Sequence, residues 1–374
     1  MSATPQIRAI TVHTVPVPLV RPFVTAVRST NVFTAVLVAV HDTDGRTGWG
    51  EAPVSWRVTG ESAASVRAAI NEPISQALLG RPLTAPPTLS ALLAASVTGN
   101  AAARMAVDCA IYDLAAQHAD TPLHAYLHPT GRPASVRTDM TLSAATTDAG
   151  IPALAETATQ HVQSGFDTLK VKVGAGADDI AVMSAVREAV GNSVHLRADA
   201  NQGWTASDAI RIIRAWEDRN LNIGFVEQPV GARDLRGMAE VVAAVQTPVM
   251  ADESVRTTDD LEDIISLHAA DAINIKLAKT GGITNALALA YRASESGINI
   301  MVGCMLESHV GIAAAASLSA ALGLTRAQDL DAGHWLTRAP VSGGISMHSA
   351  DIILPNRPGL AITALGNPAM ETTT

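Results

Sequence analysis

Cysteine, positive charge and long apolar runs are all scarce in this chain of 374 residues. The two cysteines, Cys109 and Cys304, are too few for a disulfide or zinc framework, and each lies in an apolar context that marks it as a core filler in a reducing compartment. Lysine and arginine number 26 against 35 aspartates and glutamates, and the resulting net charge of −9 excludes nucleic acid or an anionic membrane surface as a general partner. No apolar run reaches the roughly 18 residues of a membrane span. The opening MSATPQIRAITVHTVPVPL lacks the charged-then-apolar layout of a signal peptide, so a cytoplasmic protein is expected. Charged residues make up 16% of the chain and hydrophobic ones 48%. There is apolar material for a large core, and charge is too sparse for carboxylates at the ends of apolar runs to be surface decoration.

A chain this long exceeds what one core usually organises, so a large domain with a smaller companion is expected. Residues 6–19 and 32–41 alternate as strands, and the DTDG turn at 42–45 leads into RTGWGE as a hairpin return. Helical spacing follows over 62–79, 87–96 and 99–118, the last carrying Met105, Val107, Ile111 and Leu114. This predicts an α+β capping domain over residues 1–130.

From Val136 the rhythm changes to strand and helix in turn. Strands are predicted at 136–141, 168–173, 194–199, 223–227, 247–252, 271–276, 298–303 and 325–331. Runs such as VHLRAD and INIMVG suit parallel strands buried on both faces, so residues 131–342 read as an α/β domain, a (β/α)8 TIM-like barrel. The tail 343–374, with its SADIILPNRPGLAI, is expected to return to the capping domain, and the terminal ETTT to be frayed.

Lys172, Asp199, Glu227, Asp252 and Lys276 each close one of these runs, at intervals of 27, 28, 25 and 24 residues. Such spacing puts all five on the C-terminal rim of the barrel. Three neighbouring strands ending in carboxylates, without histidine or thiolate, suit a hard cation, so Asp199, Glu227 and Asp252 are the expected Mg²⁺ ligands. Lys170 and Lys172 lie two apart on one strand and project to the same face, where mutual repulsion is expected to lower the pKa of at least one and make it a base. Lys276 lies four strands further, on the opposite side of an eight-strand ring. Lys279, beyond the strand end, reads as a loop or helix-start residue. His161 and His195 read as structural, and His309 as a residue that could reach the mouth.

These features resemble the muconate-lactonizing subgroup of the enolase superfamily over almost the whole chain: GWGEA, ARMAVDCAIYDLAA, LKVKVG, RADANQGW, VEQP, ADES, NIKLAKTGGI, GCMLES and LPNRPGLAI. The resemblance implies acid/base roles for Lys172 and Lys276 beside a Mg²⁺ site and an enediolate formed by α-proton transfer; this Lys-and-Mg²⁺ pattern is a general property of enolase-superfamily sites. The segment AQDLDAGHW, with Asp329 and Asp331, is similar to the Asp-x-Asp pair of the dipeptide epimerases, where the acids hold the substrate's free α-ammonium. Two adjacent carboxylates line a cation site well and an acyl or muconate site poorly. Arg28 matches an arginine that pairs with a side-chain carboxylate in Ala-Glu-type epimerases. Trp56, Arg57, Met305 and Glu307 are further candidate contacts.

The expected activity is therefore an isomerase: a Mg²⁺-dependent dipeptide epimerase inverting the C-terminal residue of an L,L-dipeptide. An N-acylamino acid racemase, an o-succinylbenzoate synthase or a muconate-type cycloisomerase of the same superfamily is the alternative, and a non-catalytic dipeptide-binding protein the second. The resemblance also implies a homo-oligomer.

Overall fold

The computed structural model describes residues 4–24, 29–128 and 134–366. Arg28 and the ETTT terminus lie outside the described residues. Strands β1 (Ile7–Val24), β2 (Ser29–Asp42) and β3 (Thr47–Ala52) form an antiparallel sheet in that order. The turn between β2 and β3 is held by Asp42, whose Oδ1 accepts from the backbone N–H groups of Asp44 and Arg46 at 2.9 and 2.8 Å. The glycines of GWGEA have a packing reason. A Cβ on Gly48 or Gly50 would collide with the carbonyls of Ala110 and Ala106, so β3 lies directly on the helix Ala101–His118.

β1 runs further than its alternation implied: it stays paired with β2 as far as Val24, with a register shift between Pro18 and Phe23, and near that shift it also meets the large domain. Leu19 bridges Leu336, and Thr337 donates its N–H to the Pro18 carbonyl. The strand thereby carries Arg21 and Phe23 to the mouth of the barrel.

The large domain is a seven-stranded parallel sheet running β11 (Asn299–Gly303), β10 (Ala272–Lys276), β9 (Val249–Ala251), β8 (Ile223–Glu227), β7 (His195–Asp199), β6 (Thr168–Lys172), β5 (Met140–Leu142). The expected first strand, 136–141, is divided: Ser135–Arg137 (β4) pairs with Asp351–Ile353 (β14) outside the barrel, and only β5 joins it. The expected eighth strand at 325–331 is no strand. Its place is taken by isolated bridges of Gln328 to Thr138 and of Asp329 to Gly303, which close the ring between β5 and β11. Polar inward groups hold that closure: the Gln328 side chain accepts from Val302 N, and Thr138 Oγ1 accepts from Leu330 N.

Alternation along the strands sorts the barrel. Leu169, Val171, Leu196, Ala198, Val226, Ile273, Ile275 and Val302 belong to the main apolar core beneath the helices. The other set faces inward. At the closed end Phe225, Met250, Ala272 and Met301 plug the interior, with the Arg197 guanidinium over the Phe225 ring and paired to Asp139 at 2.7 Å.

The two domains meet through buried carboxylates on helix N-termini. Glu51 of β3 accepts from the N–H groups of Ser308 and Gly311 and from Ser308 Oγ, and Asp108 accepts from Ile283 and Thr284 N–H. The small-residue stretch GIAAAASLSAAL forms most of the helix His309–Ala321, buried almost throughout within the chain. In the final segment, Val341–Gly343 (β12) pairs with Ile362–Leu365 (β15), and Ser346–His348 (β13) with β14. Gly359 and Leu360 bond back to Thr121, Leu123 and Asp113 of the capping domain. Among the described residues no helix is long and apolar enough to cross a membrane.

Candidate active site

Register puts the charged groups at one level. Lys172 lies opposite Asp199, Asp199 opposite Glu227, Lys276 opposite Gly303, and Gly303 opposite Asp329. All are buried. Lys172, Lys276 and Asp329 line a cleft open to solvent, to which the capping domain contributes Phe23, Ser55, Arg57 and Val58; Asp199 and Glu227 are not part of its lining.

Three lysines at the mouth each rest on a carboxylate. Lys172 Nζ is 2.5 Å from Asp199 Oδ2, Lys276 Nζ is 2.7 Å from Asp252 Oδ2, and Lys170 Nζ is 2.5 Å from Asp329 Oδ1 with Glu227 and Asp199 at 3.7 and 3.8 Å. For Lys170 this runs against the expected lowering. Burial does oppose the charge on Lys170, but Asp329, Glu227 and Asp199 outweigh it and hold the ammonium well above its ordinary range. Lys170 is thus a fixed cation rather than a member of a mutually repelling pair. Lys276 behaves likewise: burial is overcome by Asp252, Glu227 and Asp329, and its pKa goes up. Asp329 shows the other half of the balance, held down to about 2 by Lys170, Lys276 and Lys172 against burial.

Glu227 does not share in this satisfaction. Its Oε2 is buried without a hydrogen-bond partner, while Oε1 accepts only from Asn274. Burial, with Asp199 and Asp252 alongside, pushes the carboxyl up to about 8. Glu227 stands on the middle one of three neighbouring strands that lead to Asp199, Glu227 and Asp252. Its unpartnered buried oxygen is a place for a cation, for which hard oxygen donors fit Mg²⁺. Among the described residues, though, the oxygens of these three do not all lie within 4.8 Å of one another. A different trio, Asp139, Asp329 and Asp331, does place oxygens within 4.8 Å of one another. There Arg197 rests on Asp139 and Lys170 on Asp329, just as Lys172 rests on Asp199 and Lys276 on Asp252.

Several residues at the site carried no advance signal. Lys279, expected as a loop or helix-start residue, lies in the short helix Leu277–Thr280 that follows β10, but it is buried; its Nζ donates to Asp252 Oδ1 at 2.6 Å, to the Asp252 carbonyl and to Asn274 O at 2.8 Å. The Gln228 side chain accepts from the N–H groups of Asp252 and Ser254 at 3.0 and 3.1 Å and so fixes the loop that presents Asp252. Asn201 and Glu253 line the cleft, and Asn201 Nδ2 donates to Glu253 Oε1 at 3.4 Å. Asn201 and Gln228 follow Asp199 and Glu227 so closely in RADANQGW and VEQP that proximity in sequence was the available clue.

The other expected contacts divide. Asp329, Asp331, Arg57 and Met305 line the cleft. Trp56 does not, and is 71% exposed. Glu307 lies beneath the lining, accepting from Met305 N, and burial beside Glu51 pushes it up to about 8. His309 opens its helix with Nδ1 unpartnered and does not reach the cleft. His195 is exposed at the start of β7, and His161 bonds Arg21. Cys304 lines the cleft, but burial and nearby Glu307 push its thiol well up, which leaves it unreactive.

A mouth of barrel carboxylates and lysines covered by an α+β domain defines an enzyme class, and the family comparison identifies it. The chain belongs to the enolase superfamily: residues 7–127 match the mandelate racemase / muconate lactonizing enzyme N-terminal domain, and residues 153–365 the enolase C-terminal domain-like family. It is 39% identical over 348 residues to an L-Ala-D/L-Glu epimerase of Bacillus subtilis (strain 168), covering 92% of this chain and 93% of that one. It is 38% identical over 332 residues to a hydrophobic dipeptide epimerase of Enterococcus faecalis, covering 88% and 91%. The structure of the Bacillus subtilis L-Ala-D/L-Glu epimerase in a substrate-liganded complex superposes with a TM-score of 0.93 at 38% identity, over 97% of this chain and 100% of that one. The Enterococcus faecalis dipeptide epimerase complexed with Mg and L-Leu-L-Tyr does so at 0.89 and 37%, over 96% and 99%.

Proposed function

We propose that this protein is a Mg²⁺-dependent dipeptide epimerase that inverts the α-carbon of the C-terminal residue of an L,L-dipeptide. One observation carries the choice within the superfamily. Among the described residues no lysine or arginine lies within ion-pair distance of Asp331, although the Arg21 charge acts on it from farther off, whereas Asp252 and Asp329, which line the same cleft, each hold a lysine directly. A buried carboxylate left without a cation is matched by a ligand that brings one. A free α-ammonium does so, and an N-acyl group or a muconate does not. The similarity to two dipeptide epimerases supports the same reading.

Asp199, Glu227 and Asp252 would hold Mg²⁺, which when bound supplies the positive charge that stabilises a carboxylate as its α-proton leaves. The rest is the work of this chain. Lys172 and Lys276 stand on strands four places apart in the ring, on either side of the carboxylates. One removes the α-proton from one face and the other returns a proton to the opposite face, which inverts the centre. In the described arrangement both ammonium groups rest on expected metal ligands, so a dication taken up by those carboxylates would free the lysines to exchange protons. Asp331 and Asp329 hold the substrate's ammonium, and Lys170 anchors Asp329 from below.

On the expected division, the barrel (131–342) would supply the bases and the carboxylates and the capping domain (1–130) the cover, with Gly359 and Leu360 from the tail segment (343–374) bonded to it. Arg28 and Arg57 are the proposed contacts for an acidic second residue, as in L-Ala-L-Glu. We place the enzyme in the cytoplasm as a homo-oligomer, which size-exclusion chromatography with light scattering tests.

The deciding experiment is a proton NMR time course in D₂O with Mg²⁺ and a dipeptide panel that includes L-Ala-L-Glu and L-Leu-L-Tyr. Deuterium entering the C-terminal α-position with formation of the L,D product establishes the activity. Exchange only with N-acylamino acids would overturn it in favour of a racemase. Binding without exchange would favour the non-catalytic reading.

A further inference from the structure

Asp331 is held by neutral donors, and both meet the same oxygen. The backbone N–H of Thr141 and the indole Nε1–H of Trp335 donate to Oδ2 at 2.8 and 3.0 Å. Oδ1 takes no donor from the described residues. Trp335 is 1% exposed and lies four residues on, at the far end of the single 3-10 turn Asp331–Trp335, so its ring can fold back on the carboxylate.

The indole is itself clamped by the distal end of β1. Phe23 meets its ring edge-on at 4.8 Å, and the Arg21 guanidinium lies over it at 4.6 Å. Arg21 is the cation that could have neutralised Asp331. Instead its Nη2 is 2.6 Å from His161 Nε2, and its charge is laid on the ring. The capping domain thus fixes the indole without occupying the carboxylate.

We infer that Trp335 is a positioning residue for substrate recognition: with Thr141 N–H it pins Oδ2 of Asp331, which leaves Oδ1 for the α-ammonium of the substrate's first residue, while Arg21 and Phe23 lock the ring. The inference rests on the epimerase reading and adds a determinant that comes from the meeting of two domains. A carboxylate gripped on one oxygen keeps its charge and loses its rotational freedom, so an incoming ammonium finds the acceptor already oriented.

The test compares a ligand that has the ammonium with one that lacks it. L-Ala-L-Glu and propionyl-L-Glu differ only in that group, and binding to the Mg²⁺-loaded enzyme is measured by calorimetry alongside steady-state kinetics. Trp335→Phe keeps the ring and removes the donor. The expected result is a KM for L-Ala-L-Glu raised about tenfold with kcat changed far less, and a preference for the amine-bearing ligand that falls by a similar factor. Trp335→His, which restores a ring N–H, should recover part of that preference. A second measurement needs no stable variant at this position: Arg21→Gln leaves the donor in place but unlocks the ring, and should weaken the same preference to a smaller degree. Equal loss of affinity for both ligands in Trp335→Phe, or an unchanged preference in both Trp335→Phe and Arg21→Gln, would overturn the inference. A wild-type enzyme that binds the two ligands equally would instead refute the ammonium role of Asp331, and with it the reading on which the inference stands.

Discussion

The two faces of the barrel sheet are made from the same strands and obey opposite rules. Outward, Leu169, Val171, Ile273 and Ile275 pack in the main apolar core. Inward, alternating with them, Lys170, Lys172, Asn274 and Lys276 form a buried network of ions. The outward face draws its stability from area removed from water. The inward face gains little, because each buried ion pair must repay the desolvation of both partners, and Glu227 is not fully repaid. Stability and chemistry are therefore carried by alternate residues of one strand, and substitutions on the two faces should separate them.

The largest effect is expected from Lys276→Ala, which removes one of the two proposed bases and should lower the inversion rate by about 10³-fold or more while the far-ultraviolet circular dichroism is retained. NMR in D₂O measures it, and a variant that still inverts the centre at a tenth of the normal rate would break the assignment. One position away, Ile275→Ala should do the reverse. It opens a cavity beneath the helices and should cost about 2–5 kcal/mol in denaturant unfolding, with kcat at 25 °C close to normal. If both variants lose activity and stability together, the contrast between the faces is wrong.

A smaller effect tests Glu227, whose buried Oε2 has no hydrogen-bond partner. Mg²⁺ should raise the wild-type melting temperature in proportion to its binding, and a chelator should return it to the metal-free value and remove activity. Glu227→Gln should abolish the Mg²⁺-induced rise without lowering the metal-free melting temperature by more than a degree or two, since it keeps the shape of a side chain whose Oε2 accepts no hydrogen bond in the metal-free protein. A normal Mg²⁺ response in that variant would remove Glu227 from the metal site.

The smallest expected effect concerns the join between the domains. Burial pushes the Asp108 carboxyl up to about 6 from an ordinary value of 3.8. Between those values the folded group keeps a proton that the unfolded one has released, so this contribution to stability is lost as pH rises through the window and regained as pH falls. Asp108→Asn holds the same helix N-terminus with a neutral oxygen. The difference in stability between variant and wild type should therefore move in the variant's favour by about 1–3 kcal/mol from pH 4 to pH 7. A difference that stays constant over that range would show that the group does not titrate there.

Spacing along the chain was enough to place Lys172, Asp199, Glu227, Asp252 and Lys276 on one rim, because a repeating strand and helix leave the end of every strand at the same level. The same logic misjudged the ring's closure. The segment at 325–331, TRAQDLD, falls where the repeat calls for an eighth strand, yet only Gln328 and Asp329 bridge their neighbours. The expectation of mutual repulsion between Lys170 and Lys172 failed for a related reason: adjacency on a strand is visible in sequence, whereas the carboxylates brought to Lys170 by β7, β8 and Asp329 are not.

By itself, then, the sequence determined the alternation of strands and helices, the family, and which ionisable groups share the mouth. These follow from local periodicity and from motifs contiguous in the chain. Only the tertiary structure decided which charge rests on which: that Lys279 turns back to Asp252, that Asp331 is left without a cation, and that Arg21 and Phe23 cross from the capping domain to hold Trp335. Those partners are separated by anything from four to more than three hundred residues. Electrostatic balance is set by distance in space and by exclusion of water, and neither is encoded in spacing along the chain.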